Sequence, residues 1–299
     1  MTEPAKPILM FGGKGGVGKT TCAATTALHY ASLGMKTLAI STDATPSLAH
    51  IFEVKAQGRP VTVRDNLDIN ELGICQVQEM WDRKFGREVY RVFSSIVDID
   101  YPAFVGFMTS MLPGLSDEFM VDYIRELTRS GNYEAIIWDT APLGQTLALL
   151  HTPSMLIEHL RLAPRIYSRL KLGPGSKEPV FDIIKRWQKL SADNLEFLKK
   201  KVGFTLVTIP EALAFDQLEG IFCELDKHGF VVDRLVVNNV VRDDDSEFLR
   251  VRAEQQKGYL DQIYSRYSSL KIVRLPMRPY EIKGLGRLEE MGRELYNDN

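Results

Sequence analysis

The sequence predicts an α/β fold: a doubly wound, mostly parallel sheet with an inserted α-helical subdomain. Short runs rich in β-branched and apolar residues recur along the chain, and helical stretches separate them. The first run leads directly into a glycine-rich loop, which is followed by a proline-free helical stretch. Two long segments without strand-like runs interrupt this alternation, and they indicate the insertion.

Six runs along the chain have the length and composition of buried β-strands. Ligands of open parallel sheets bind at the carboxyl ends of the strands, so functional side chains are expected directly after these runs. The stretch 20–33 is rich in Ala and Thr and is predicted to form the helix after the first strand. The six runs are 7–11, 36–41, 134–139, 204–209, 234–238 and 271–275.

Two segments, 76–130 and 151–201, are largely helical in character. They predict an α-helical subdomain that offers a surface to a client or partner. Within the first, the run YPAFVGFMTSMLPG at 101–114 is unusually apolar. Two interpretations stay open for this run: ordinary core packing, or an adaptable exposed groove, since Met and Phe side chains fit many apolar partners. The rest of the chain, 1–75, 131–150 and 202–299, is predicted to form the nucleotide-binding α/β core.

Composition excludes several classes of function. The 299 residues are 44% hydrophobic and 25% charged, which is ordinary for a globular protein, and the net charge of −2 gives no general basis for binding nucleic acid. Cys22, Cys75 and Cys223 lie far apart and form no C-x-x-C pair, which indicates a reducing compartment without a disulfide framework. The first apolar run is too short for a signal peptide, so a cytoplasmic protein is expected.

The glycine-rich loop fits the pattern of a phosphate-binding loop, G-x-x-x-x-G-K-[ST]. Its glycines let backbone N–H groups turn inward around phosphate oxygens, and the following helix presents its N-terminus to the anion. Lys19 is expected to reach the phosphates, and Thr20 is the predicted Mg²⁺ ligand. The candidate binding residues of the loop are Gly13, Gly15, Gly16, Val17, Gly18, Lys19, Thr20 and Thr21.

The loop carries a second lysine, Lys14, which this pattern does not require. A second ammonium packed beside Lys19 would be repelled unless it turned outward. Lys14 is therefore predicted to act in trans, on the phosphates bound by a neighbouring copy of the chain, where a cation accelerates phosphoryl transfer. Lys14 and Lys19 are both catalytic candidates. The alternative for Lys14 is a solvated loop side chain.

Two aspartates follow predicted strands and complete a candidate site for nucleotide hydrolysis. Asp43 comes just after the second run, where its carboxylate can orient or polarise an attacking water. Asp139 ends the third run, and the segment after it can sense the γ-phosphate and Mg²⁺ and move on hydrolysis. For either aspartate, the alternative is a helix N-cap.

Several motifs resemble one family. The loop GGKGGVGKTT, with its extra lysine, resembles the deviant phosphate loop of dimeric ATPases. STDATPSLAHIF, LPGLSDE, WDTAPLGQTLALLHTP and LPMRPYEIKGLGRL are similar to segments of the family of arsenical-pump ATPases and ATPases that target tail-anchored proteins. The resemblance spans nearly the whole chain. It implies a P-loop NTPase fold of the SIMIBI type and a homodimer that closes on ATP and Mg²⁺.

The resemblance also assigns roles to residues. It makes Lys14 the lysine that acts in trans and Asp43 the carboxylate that polarises water. Glu211 and Asn238 match positions that contact the ribose and adenine, and the loop at Pro276 matches the one that walls the base.

Two functions follow from the resemblance. In the first, the protein is an ATPase that closes, binds hydrophobic, tail-anchored membrane proteins and delivers them. A membrane receptor is then a further partner. The alternative is an ATPase stimulated by arsenite or antimonite that drives an efflux pump. A nucleotide switch with little catalysis, bound to DNA or a membrane, has no clear basic patch or amphipathic tail to support it.

The chain departs from the family pattern at several positions. Pro46 and Gln145 stand where family segments usually carry histidine, and Ala44 replaces a proline. Ser246 and Leu249 stand where targeting members carry the C-x-x-C pair that binds zinc across the dimer, so no structural zinc is expected. The three cysteines are not obviously convergent, although a trivalent arsenical requires thiolates close together.

Overall fold

The computed structural model describes residues 6–43, 47–56, 58–94, 98–111, 115–140, 143–167, 177–242 and 246–296. The chain divides into an α/β unit and a helical unit. The α/β unit comprises Met1–Gly73, Ser130–Thr146 and Lys201–Asn299. The helical unit comprises Ile74–Arg129 and Leu147–Lys200. The domain assignment made from the sequence, including the use of the helical segments as a client or partner surface, stays a prediction.

The α/β unit contains an eight-stranded sheet in the order β3-β4-β2-β5-β1-β6-β7-β8. All neighbouring strands are parallel except β3 and β4, which pair antiparallel. The predicted doubly wound, mostly parallel α/β fold is thereby confirmed. The strands are β1 (Ile8–Gly13), β2 (Thr37–Ser41), β3 (Val61–Arg64), β4 (Leu67–Glu71), β5 (Ala135–Asp139), β6 (Val202–Thr208), β7 (Val232–Val240) and β8 (Lys271–Pro276).

Helices occupy most of the remaining described chain. One π-helical turn, Asp82–Gly86, joins α3 to α4. The helix α7 begins in the α/β unit and continues in the helical unit. The helices are α1 (Lys19–Ser32), α2 (Leu48–Ile51), α3 (Ile74–Trp81), α4 (Arg87–Phe93), α5 (Tyr101–Met111), α6 (Leu115–Arg129), α7 (Leu143–Tyr167), α8 (Lys177–Lys201), α9 (Ala212–Lys227), α10 (Glu247–Arg266) and α11 (Gly284–Tyr296).

The central strands are buried on both faces, which explains why their sequences are nearly continuous apolar runs. Every residue of β2, β5 and β6 is buried. β1 lies between β5 and β6, and its last residue is Gly13. A Cβ atom at Gly13 would lie 2.2 Å from the carbonyl oxygen of Val207. Glycine is therefore required where β1 passes β6 and enters the phosphate loop.

The helix after the phosphate loop, α1, packs against the C-terminal helix α11. Tyr296 donates a hydrogen bond to the hydroxyl oxygen of Thr26 over 2.9 Å, and the Thr25 hydroxyl contacts the sulfur of Met291 at 3.3 Å. These contacts tie α1 to the last helix of the chain, and so fix the direction in which the N-terminus of α1 points.

The antiparallel hairpin of β3 and β4 was not predicted from the sequence. Its residues include polar and charged side chains that are uncommon in strands, such as Asp68 and Asn70. Leu67 and Ile69 are nevertheless fully buried, and β4 pairs parallel with β2. The sheet therefore extends two strands beyond the predicted six.

The helical unit contains a buried ion network. Asp122 on α6 is fully buried and accepts hydrogen bonds from Lys84 and, over 2.7 Å, from Arg125. Phe104 of α5 is also fully buried, so part of the apolar run 101–114 packs in a core. The side chains of residues 107–114 lie outside those that the structure describes, and the groove interpretation stays open. Within the described ranges, no helix is both long and apolar enough to cross a bilayer.

Candidate nucleotide-binding site

The phosphate loop connects β1 to α1 at the carboxyl edge of the sheet. Gly16 and Gly18 have φ angles of 79° and 95°, in the left-handed region that favours glycine. A Cβ atom at Gly18 would also lie 2.4 Å from the side-chain nitrogen of Asn238. Spacing of glycines in the motif is therefore set by backbone conformation and by close packing. The N-terminus of α1 directly follows and presents unpaired N–H groups to an anion.

Lys19 lies back against the loop. Its side chain is only 7% exposed, and its ammonium donates a hydrogen bond to the carbonyl oxygen of Lys14 over 3.1 Å. Burial lowers the pKa of the Lys19 ammonium, and the charges of Asp139 and Asp43 oppose this shift. A cation in this position is placed to contact phosphate oxygens held by the loop.

Asp139 is the most strongly perturbed carboxyl group of the site. It is 1% exposed at the end of β5, and Ser41 donates a hydrogen bond to its Oδ2 over 3.1 Å. Burial raises the pKa of Asp139 to about 7, although hydrogen bonds from Thr20 and Ser41 and the charge of Lys19 lower it. Among the residues that the structure describes, its buried Oδ1 has no hydrogen-bond partner.

An unpartnered, buried carboxylate oxygen beside a threonine hydroxyl fits a magnesium ion. Mg²⁺ prefers oxygen ligands and keeps several waters, so it is usually bound through one or two protein groups plus the phosphates of the substrate. Thr20, the predicted metal ligand, and Asp139 supply such oxygens here. The residues present therefore suit Mg²⁺ as a cofactor.

Asp43 follows β2, and its backbone N–H donates a hydrogen bond to the Ser41 hydroxyl over 3.4 Å. The alternative that Asp43 caps the next helix is wrong, because the N-cap position of α2 is Ser47. Ser41 thus contacts both candidate aspartates. The predicted departures at Ala44, Pro46 and Gln145 concern residues or side chains outside those that the structure describes.

The three residues expected to contact the nucleoside lie at the carboxyl ends of neighbouring strands. Glu211 precedes α9 after β6, Asn238 lies near the end of β7, and Pro276 ends β8. The Asn238 amide donates a hydrogen bond to the carbonyl oxygen of Val17 over 2.9 Å, so it contacts the phosphate loop directly. Glu211 accepts a hydrogen bond from Arg252 over 2.6 Å.

An open cleft of about 730 Å³ lies beside Glu211, between the start of α9 and one face of α10. This volume is within the range of small-molecule sites. The residues that line it include Pro210, Glu211, Arg252, Gln256, Tyr259 and Gln262.

Sequence reasoning missed three polar residues of this region. Ser41 ends an apolar strand just before Asp43, and a hydroxyl in that position was a usable signal. Arg252 and Gln256 lie on α10, which is polar along its length, and nothing in their spacing sets them apart from solvent-exposed neighbours. Their roles follow from the packing of α10 against the strand ends.

The comparison with known proteins agrees with this geometry. The model of the anion-transporting ATPase family matches residues 6–297. The chain belongs to this family. The predicted family and the ATPase class are thereby confirmed.

Relatives of this chain include proteins with different names. It is 29% identical over 310 residues to ATPase ASNA1 homolog 2 of Paramecium tetraurelia, covering 97% of this chain and 93% of the relative. It is 28% identical over 300 residues to ATPase GET3A of Arabidopsis thaliana, covering 93% and 80%. A protein of Aquifex aeolicus with the provisional name arsenical pump-driving ATPase 2 is 27% identical over 304 residues, covering 96% and 98%.

The extra lysine of the loop, Lys14, is placed differently from Lys19. The Lys14 side chain is partly exposed. Within the described part of the chain, its ammonium has no hydrogen-bond or salt-bridge partner, while its backbone carbonyl is bound by Lys19. The two lysines therefore do not share one position in the loop.

The structure also places the three cysteines and the two positions, 246 and 249, at which targeting members carry the C-x-x-C pair. Cys22 on α1 is fully buried, and burial raises the pKa of its thiol to about 12. Cys75 and Cys223 are exposed, on α3 and α9. Ser246 is the N-cap residue of α10, and Leu249 lies in its first turn.

Proposed function

We propose that this protein works as a homodimeric ATPase that closes around ATP and Mg²⁺. One observation carries the proposal: Lys19 is buried against its own phosphate loop, while Lys14 is partly exposed and its ammonium has no partner in the described chain. A loop that holds one lysine inward and leaves the other outward is suited to serve two sites, its own and that of a second copy.

The proposed chemistry is hydrolysis of the terminal phosphate bond. Water, oriented by Asp43, attacks the γ-phosphorus, and the bond from that phosphorus to the bridging oxygen of ADP breaks. Lys19 neutralises charge on the phosphates from the same chain, and Lys14 of the second copy stabilises the charge of the transferring group. Thr20 and Asp139 are the groups that would hold Mg²⁺, which neutralises phosphate charge when bound.

We further propose that closure is coupled to the binding and delivery of hydrophobic, tail-anchored membrane proteins in the cytoplasm. Support comes from the motif resemblance to targeting ATPases and from relatives named GET3A and ASNA1 homolog. The helical unit, with apolar α5, would supply the client surface and also contact a membrane receptor or pump. No structural zinc and no nucleic-acid partner belong to this proposal.

Hydrolysis measured in three proteins tests the enzymatic part. Lys14→Ala should lower the rate by about a thousandfold or more, because a cation supplied in trans has effects of that size. Asp43→Asn should lower it by about a hundredfold or more, because the water loses its orienting group. Equal rates in the wild type and both variants would contradict the proposal.

Capture of a client tests the second part. A synthetic transmembrane peptide should co-purify with the Asp43→Asn protein in the presence of ATP and Mg²⁺, and not with nucleotide-free protein. Failure to capture the peptide in any nucleotide state would leave an ATPase without this client.

A metalloid-stimulated pump subunit is the second candidate, and the names of the Aquifex relatives favour it. Trivalent arsenic and antimony bind thiolates. The buried Cys22, whose raised pKa disfavours the thiolate, weighs against it. If the protein is such a pump subunit, antimonite should stimulate ATP hydrolysis in the wild type. Replacement of Cys75 and Cys223 by Ser should abolish that stimulation. An unchanged rate with antimonite would exclude this function.

A further inference from the structure

We propose that Gln256 is a positioning residue for nucleotide binding: its buried amide holds a bulge at the end of β7 that aims Asn238 at the phosphate loop. The inference rests on the proposed function, because it assigns a role within the same site. It adds α10 to the elements on which binding depends, although α10 contributes no residue to the phosphate loop.

The bulge is visible in the pairing of β7 with β8. The register shifts between Val237 and Val240. Asn239, inside this interval, has a φ of 56°, in the left-handed region that asparagine tolerates better than most residues. Bulges of this kind bend a strand and redirect a side chain next to them. In a regular strand, side chains would simply alternate between the two faces of the sheet.

Gln256 bonds to the backbone within the bulge, at Asn239, and just after it, at Val241. Its side chain is 4% exposed on α10. The side-chain Oε1 accepts a hydrogen bond from the N–H of Val241 over 2.8 Å, and Nε2 donates one to the carbonyl oxygen of Asn239 over 3.1 Å. One backbone group is a donor and the other an acceptor, so a carboxylate cannot replace the amide. Leaving either group unpaired in this buried position is costly.

Asn238 lies directly beside the left-handed residue and faces the phosphate loop. Its amide nitrogen donates to the carbonyl oxygen of Val17 over 2.9 Å. The same nitrogen lies 2.4 Å from the position that a Cβ atom of Gly18 would take, so the loop and the strand end are in close contact. A change in the direction of Asn238 therefore alters the backbone that surrounds the phosphates.

The same helix supports a second predicted contact. Arg252 is one turn before Gln256 on α10 and binds Glu211 over 2.6 Å. Residues four apart lie on one helical face. One face of α10 thus holds two groups at which we expect the nucleotide to bind, Asn238 through the bulge and Glu211 through an ion pair.

The dissociation constant of a non-hydrolysable ATP analogue with Mg²⁺ tests the inference. Gln256→Met, which keeps the size and removes both hydrogen bonds, should weaken binding about fivefold. The matched control is Gln217→Met, on an exposed position of α9, which should leave the constant unchanged. Thermal unfolding followed by circular dichroism establishes that both variants are folded.

A double-mutant cycle separates positioning from general loss of structure. Asn238→Ala should also weaken binding, and adding Gln256→Met to it should weaken binding no further, because the side chain that the bulge aims is already gone. Independent effects that multiply would overturn the inference. An unchanged dissociation constant in Gln256→Met would also overturn the inference. The proposed function would still stand if the wild type binds and hydrolyses ATP. A wild type that binds no nucleotide would overturn both.

Relief of backbone strain gives a second, independent test. Glycine adopts a positive φ without cost, so Asn239→Gly should restore affinity in the Gln256→Met background. Asn239→Ala carries the test if Gln256→Met does not fold: it leaves Gln256 in place, disfavours the left-handed conformation and should weaken binding by a similar factor. No rescue by glycine, or no loss with alanine, would overturn the proposed role of the bulge.

Discussion

Asp139 shows how one buried side chain links binding to stability. Its Oδ1 has no hydrogen-bond partner in the described part of the chain, and the group is buried at the end of the central strand β5. Such a carboxyl either holds a proton or needs a cation. The site is therefore less stable without its cofactor than a well-paired one would be, in the pH range where carboxyl groups normally ionise.

The raised pKa of Asp139 predicts a pH-dependent stability difference. The folded pKa is about 7 and the ordinary value is 3.8, so the folded state binds the proton more tightly. Below pH 4 the group is protonated in both states and has no cost, and the cost grows as the pH rises toward 7. The free energy of unfolding of Asp139→Asn, taken relative to that of the wild type, should therefore rise by up to about 4 kcal/mol between pH 4 and pH 8.

Urea denaturation of the nucleotide-free wild type and variant at four or five pH values measures this gap. A difference that stays constant across the range would contradict the raised pKa. The same variant should lose Mg²⁺-dependent hydrolysis, since it lacks the anionic oxygen.

At the scale of residues, the sequence predicted which residues form the candidate site better than it predicted where their side chains point. The spacing of Gly13, Gly18, Lys19 and Thr20 was enough to predict a phosphate loop, because the backbone geometry of such a loop demands those residue types. It was not enough to predict that Asn238 binds Val17. Where a side chain points at the end of a strand depends on the bulge at 239, and no periodic pattern records a single irregular residue.

At the scale of elements, apolar runs predicted the buried central strands β1, β2, β5 and β6, and also β7 and the more exposed edge strand β8. The edge hairpin escaped prediction for a physical reason: β4 reads LDINE, and its polar residues are stabilised by tertiary contacts that the sequence does not display. Glu71, for example, is buried and accepts a hydrogen bond from the N–H of Ala49 over 2.8 Å. Local propensity disfavoured a strand that pairing with β2 and burial of Leu67 made stable.

The helical unit offers a prediction about its buried ion network. Asp122→Ala should destabilise the protein by about 3–5 kcal/mol, because it removes the buried partner of the Arg125 guanidinium and leaves it only the longer ion pair with the exposed Asp193, at 3.7 Å. Denaturation in urea, followed by the signal of the helices, measures the change. Glu196→Ala removes an exposed ion pair with Lys200 and serves as the control, with no measurable change expected. A loss for Asp122→Ala no larger than the control's would contradict the importance of the buried network.

At the scale of the whole molecule, the trans role of Lys14 makes a prediction about mixtures. Lys14→Ala lacks the donated lysine and Asp43→Asn lacks the residue that orients water, so each variant alone should be nearly inactive. In a mixed dimer, the chain with Lys14→Ala keeps Asp43 and receives Lys14 from the other chain. Equal amounts mixed before ATP is added should recover about a quarter of the wild-type rate, since half of the dimers are mixed and each has one complete site.

The rate of hydrolysis in the mixture, compared with the mean of the separate variants, decides the matter. A lysine that acted within its own chain would leave both sites of the mixed dimer defective, and the mixture would then equal that mean.

The positions of the three thiols have a practical consequence for watching this protein at work. Cys22 cannot form a thiolate readily, so maleimide dyes will spare the helix behind the phosphates. Cys75 and Cys223 are open to modification, one in each unit. The unaltered chain can thus carry a donor and an acceptor fluorophore on separate units, and energy transfer between them would report any nucleotide-driven rearrangement in real time.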